Sequence, residues 1–132
     1  MFDWKSPSLS DLSKIKNAAE INNQFGNEMC AANLFLYRKK YNTQIAFFDN
    51  MLFRRYSIDN QIWYGIPLAL ESIASEITKN QRILEGIDLL ISENLKKGSI
   101  DFAYVYENDL KLLKSKYKHK VKEKIQETIN FL

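Results

Sequence analysis

The sequence predicts an α+β domain: a mostly antiparallel sheet flanked by helices on both faces. Three observations predict it. Apolar residues recur at helical spacing through residues 9–40, and three β-rich runs then follow at hairpin spacing. After Pro67 the helical spacing returns, before and after one more strand-like run.

Taken in order, Phe2 to Lys5 reads as a short first strand ended by Ser6-Pro7. Ser8-Leu9-Ser10-Asp11 reads as a capping box, because the Ser8 hydroxyl and the Asp11 carboxylate can each satisfy a free helix-end amide. Leu9, Leu12, Ile15 and Ala19 continue that helix until Asn22-Asn23-Gln24-Phe25-Gly26 stops it. A second helix is expected over residues 27–40, with Met29, Ala32, Phe35 and Leu36 inside and cations near its C-terminal end. TQIAFFD (43–49), MLFRRYS (51–57) and QIWYGIPL (61–68) form a three-stranded meander. Its turns are Asp49-Asn50 and Asp59-Asn60, residue types that tolerate left-handed backbone.

From Ala69 to Lys97 the spacing is helical, with a break expected near residues 78–81 and Gly98 as the C-terminal stop. SIDFAYVY (99–106) reads as a buried strand and ENDLKLLKSKY as the helix after it. Chain length and the lack of repeats or linkers give a single domain over residues 1–132.

Composition excludes several classes. Cys30 is the sole cysteine and His119 the sole histidine, so no intrachain disulfide or Cys/His zinc site is expected. No metal ligand set is assigned. The N-terminus carries acids and no apolar core segment, so it is not read as a signal peptide, and no apolar run reaches membrane-span length. A cytoplasmic protein without a membrane span is the expectation.

Net charge is +3, but it is unevenly placed. Residues 111–124 hold seven lysines against Glu123, a local +6 that leaves −3 on the rest of the chain. Within that segment KSKYKHKVKEK puts a lysine at every second position. Period two is a strand period, with Tyr117, His119 and Val121 on the other face, and lysines along an exposed edge prevent edge-to-edge aggregation. The same lysines, Lys114, Lys116, Lys118, Lys120 and Lys122, are candidate partner-binding residues for nucleic acid or an acidic protein face. The segment has no arginine and few planar residues, which favours loose electrostatics over base readout.

No GxxxxGK[ST] loop, GxSxG elbow or HExxH helix is present. Cys30 and His119 are a conceivable nucleophile and base, but Cys30 sits in MCAANL on a helix core face, where an inert buried thiol is the better account. NQRILEGIDLLISENL (80–95) lies between the meander and SIDFAYVY, the layout of a GNAT-type acyltransferase. In that type the acyl-CoA pyrophosphate sits on backbone amides of a Q/R-x-x-G-x-G/A turn opening a helix. The residues here are Gln81-Arg82-Ile83-Leu84-Glu85-Gly86, with one glycine where the motif has two. An ordinary amphipathic helix with Gly86 packed on the sheet accounts for them as well.

SDLSKIK, then NEMCAANLFLYRKKYNTQIAFFDNMLFRRY, then WYGIPL resembles the N-terminal half of proteins related to the phosphatidylglycerol lysyltransferase C-terminal domain. The shared pattern is a helix ending in an aromatic-rich stretch, a strand, a tight turn, a strand and an aromatic-Pro motif. Tyr37 stands where that family usually shows tryptophan, and the resemblance covers most of residues 8–113. The family has two GNAT-like domains in tandem, and its characterised branch transfers an aminoacyl group from tRNA to a lipid.

The resemblance therefore implies one GNAT-like domain and an N-acyltransferase acting on an amine, for example a protein lysine, with acetyl-CoA or a related acyl donor. Gln81, Arg82 and Gly86 would hold the donor's pyrophosphate. Tyr106, Asn108 or Tyr117 would protonate the leaving thiolate or position the amine. Two other readings stand beside it. One is a non-catalytic binding or inhibitor protein, such as a phage or mobile-element anti-defence protein of anti-CRISPR type, docking through residues 111–124. The other is one structural half of a two-domain aminoacyl transferase.

Overall fold

A computed structural model describes residues 2–22, 35, 36, 38–72, 75–94, 100–103 and 105–117. The frame is a five-stranded, mostly antiparallel sheet. Its strands are β1 (Gln44–Phe48), β2 (Met51–Ile58), β3 (Gln61–Tyr64), β4 (Leu68–Ala69) and β5 (Asp101–Phe102). The order is β1-β2-β3-β5, with β4 also on β2 and β5 parallel to β3. The described helices are α1 (Leu12–Ile21), entered through a 3-10 turn at Leu9–Asp11, α2 (Glu76–Glu93) and α3 (Glu107–Tyr117).

Both hairpins form where two-residue turns demand positive φ. Asp49 and Asn50 have φ of 50° and 60°, and Asp59 and Asn60 have 50° and 62°. Asp and Asn accept this region at low cost, and its twist matches that of the flanking strands. Side chains then alternate across β2. Met51 and Phe53 join Ala46, Tyr64, Ile66, Ile83, Ile87, Leu90 and Leu113 in a core between the sheet and α2 and α3. Leu52 and Tyr56 join Ile15, Ala18, Ala19, Ile45 and Leu68 in a second core under α1. Helices thus cover both faces, because both strand parities are apolar.

A one-residue bulge lies between β3 and β4. Arg55 pairs with Tyr64, whereas Leu52 pairs with Leu68, so Phe53 and Arg54 face the three residues Gly65, Ile66 and Pro67. The extra residue flips the side-chain parity. Ile66 enters the α2-side core, while Leu68 enters the α1-side core. Arg54, 3% exposed, fills the bulge, and its Nη2 donates to the Ile66 carbonyl at 2.8 Å. A Cβ at Gly65 would lie 2.7 Å from the guanidinium carbon, so any larger residue there would displace Arg54.

Several boundaries differ from the sequence expectation. The first strand is a single bridge, Lys5 to Ile45, with backbone bonds of 2.9 and 2.8 Å. Ala69 ends a strand and Leu70 donates to the Asn50 carbonyl, so α2 starts later than expected. It starts at Ser75, whose hydroxyl accepts from the Thr78 amide, and it runs unbroken through residues 78–81. The polar residues there are accommodated within an intact helix, Thr78 and Gln81 exposed and Lys79 and Asn80 partly so. The same helix ends at Glu93, where Asn94 bonds the Leu90 carbonyl through both its backbone and side-chain nitrogens.

Of the strand expected over residues 99–106, the described residues form Asp101–Phe102, continued by an Ala103 amide bond to the Tyr64 carbonyl, and residues 99 and 104 lie outside the described residues. At the N-terminus, Asp11 is buried and accepts from the Ser8 amide, the Ser8 hydroxyl and the Lys5 ammonium. Phe35 and Leu36 are helical, with a turn from residue 38, and the rest of the helix expected over 27–40 lies outside the described residues, as does Cys30.

Candidate functional site

The residues expected at a phosphate turn lie inside α2, not at its opening. Gln81, Arg82 and Gly86 are five or more residues past the first helical residue, Glu76. There each amide bonds the carbonyl four residues back, so the amides of 81–86 are occupied by the helix itself. Arg82 reaches the first hairpin turn, donating to the Asp49 carboxylate at 3.1 Å and to the Asp49 carbonyl, and it also meets Glu85 at 3.0 Å. Those hydrogen bonds and charges outweigh its burial and raise its pKa. Gly86 faces the sheet, where a Cβ would lie 3.0 and 3.1 Å from Pro67 carbons and 3.3 Å from the Met51 sulfur. Its missing side chain lets α2 seat closely on the strand.

The free amides of α2 are in its first turn, beside Ser75 and Thr78. That turn carries Glu76, and Glu71 is exposed in the connection before it. Two carboxylates so placed disfavour a diphosphate there.

The expected catalytic residues do not converge. Tyr106, 39% exposed, sits immediately before α3, with its amide directed to the Asp109 carboxylate at 3.4 Å. Asn108 is exposed in the first turn of α3, and Tyr117 is the last residue of the same helix. Tyr117 lies nine positions beyond Asn108, about 14 Å of axial rise, so the two cannot act on one leaving group.

Tyr117 instead meets Asp88 of α2. Its hydroxyl donates to one carboxylate oxygen of Asp88 and the Lys116 ammonium donates to the other. Burial, the Asp88 hydrogen bond and the Asp88 charge together hold the Tyr117 hydroxyl far above the usual phenol range. Burial pushes Asp88 upward, but the bonds from Lys116 and Tyr117 and the lysine charge outweigh it and leave the carboxyl below its ordinary value. Asp88 was not among the sequence candidates. Nothing local marks it, since its partners lie 28 and 29 residues away.

These shifts set a pH window. A carboxylate with a lowered folded pKa adds stability above its unfolded value, lost as pH falls through the folded one. A tyrosine with a raised folded pKa adds stability below about pH 10, lost as pH climbs beyond it. We expect the urea midpoint of Tyr117→Phe to fall less than wild type above pH 10. Asp88→Asn should fall less than wild type on acidification below about pH 4. Parallel curves for wild type and variants would contradict the coupling.

The lysine-rich segment begins as helix rather than edge strand. Leu113 is buried, Leu112 and Tyr117 pack against the same core, and Lys111, Lys114 and Ser115 are exposed. The strand reading is therefore corrected for residues 114–117. Lys111 is 73% exposed, with Glu107 at 3.8 Å, whereas Lys116 is engaged by Asp88. Lys118, Lys120 and Lys122 lie outside the described residues, as do His119 and Val121.

Among the described residues no helix is long and apolar enough to cross a membrane, and no three His, Cys, Asp or Glu side chains cluster as metal ligands. No family model matches the chain, and no curated protein does. A solved structure, described as the crystal structure of a conserved protein of unknown function from Bacteroides thetaiotaomicron VPI-5482, is similar at 18% identity and a TM-score of 0.56. The match takes in 90% of this chain and 37% of that one, so the fold here spans little more than a third of the larger protein. That likeness concerns the fold alone.

Proposed function

We propose that this chain is a non-catalytic binding domain on a GNAT-like frame, docking an acidic face of a protein partner through the basic segment 111–124. The observation that carries the reading is the engagement of the 81–86 amides within α2. With those amides unavailable, the residues that would hold an acyl donor's pyrophosphate have structural work instead. Arg82 ties α2 to the hairpin turn and Gly86 seats it on Pro67. Lysine without arginine, and a tyrosine already bonded to Asp88, favour an acidic polypeptide over nucleic acid.

The test uses a capped poly-glutamate peptide and a DNA oligonucleotide of equal charge. Peptide binding should weaken steeply with salt, as ion pairing at an exposed surface requires. The variant Lys118→Glu, Lys120→Glu, Lys122→Glu should lose it with an unchanged Tm. Lys116 is left in place because Asp88 uses it in the fold. Equal peptide affinity in wild type and variant would overturn the reading, and tighter binding of the DNA would replace the acidic protein with nucleic acid.

A further inference from the structure

Arg55 differs from the other described arginines. Arg54 is buried against the Ile66 carbonyl, Arg82 meets Asp49 and Glu85, and Arg38 donates to the Phe35 carbonyl. Arg55 has no carboxylate partner among the described residues. Its guanidinium lies 4.3 Å from the centroid of the Trp4 ring, and its Nε donates to Gln44 Oε1 at 2.6 Å. Contacts from the N-terminal segment and from β1 thus restrain the guanidinium. Both terminal amino groups, Nη1 and Nη2, have no acceptor among the described residues.

The register places Gln44, Arg55, Tyr64 and Phe102 in one row across β1, β2, β3 and β5. Trp4 packs at the edge of the same core, 6.1 Å from Tyr64, and Trp4, Gln44 and Arg55 are all partly exposed. A guanidinium lying over an indole ring and bonded at Nε keeps a planar pair of donors that matches a carboxylate. Its ordering entropy is already met within the domain, so little of it is lost again on binding. Trp and Arg are also the residue types that dominate binding energy at protein interfaces.

We propose that Arg55, restrained by Trp4 and Gln44, anchors a carboxylate of an acidic segment on a protein partner. This rests on the binding reading above for the class of partner, but it locates a second contact that the lysine segment does not supply.

The experiment follows the Arg55 Nε–H and Trp4 indole N–H resonances of the full chain during titration with a capped six-glutamate peptide. Both should shift saturably, and Arg55→Lys should lower the affinity about tenfold with an unchanged Tm, since a lysine cannot offer the fork. Stationary resonances, or equal affinity in Arg55→Lys, would overturn the anchor. An equal response to inorganic phosphate would also overturn it, as a carboxylate site. The two proposals fail separately. Loss of binding in the lysine-to-glutamate variant, with the Arg55 and Trp4 resonances unmoved in wild type, leaves only the lysine surface. An unimpaired response of those resonances in that variant leaves the anchor standing.

Discussion

Gly86→Leu is expected to destabilise the domain by about 3 kcal/mol, lowering Tm by roughly 10 °C. The new side chain would grow from a Cβ already 3.0 Å from the Pro67 ring, which is itself buried and cannot rotate away. α2 would have to lift from the sheet, and with it Ile83, Ile87 and Leu90 from the core they share with Phe53. Gly86→Ala is the instructive companion. It gains helix propensity of about 1 kcal/mol, set against a contact that the Met51 sulfur can relax more readily than Pro67. We expect near-neutral stability for Ala and a large loss for Leu, read by urea midpoints. If Gly86 instead opened an anion-binding turn, Leu would be tolerated in the fold.

Arg54→Ala is expected to cost about 3 kcal/mol, by removing a buried donor and leaving a void in the bulge. The Ile66 carbonyl would lose the bond at 2.8 Å, and the segment Gly65 to Pro67 would lose the group it wraps. The bulge decides which side of the sheet receives Leu68, so its loosening reaches both cores. Denaturant titration checks the size. Protection of the Gly65 amide, bonded to the Arg54 carbonyl at 3.0 Å, checks the location by hydrogen exchange. A wild-type midpoint in Arg54→Ala would mean the bulge is held by the backbone alone.

Much of the frame was legible because its signals are local. Two Asp-Asn pairs between β-rich runs demanded two-residue turns, and Ser8 with Asp11 announced a helix start. The bulge was not legible. Pro67 was visible as the end of the meander, but an added residue shows only when the strand is laid against its partner. The start of α2 was missed because Ala69 and Leu70 keep the helical phase of the residues after them by coincidence.

The lysine alternation misled for a related reason. Charge repeats every second residue from Lys114, while the core-facing residues Leu112, Leu113 and Tyr117 overlap that segment at one position. Burial outranks charge pattern in choosing the element. The candidate site fared least well. Arg82 with Asp49 and Tyr117 with Asp88 join residues about thirty apart, and only the fold brings them together.

The central claim is that the 81–86 stretch is a structural helix and that the domain binds rather than acylates. Calorimetric titration of the folded chain with acetyl-CoA and with free CoA tests it most directly. The account predicts no saturable heat with either ligand. Micromolar binding of acetyl-CoA would contradict it and restore the N-acyltransferase.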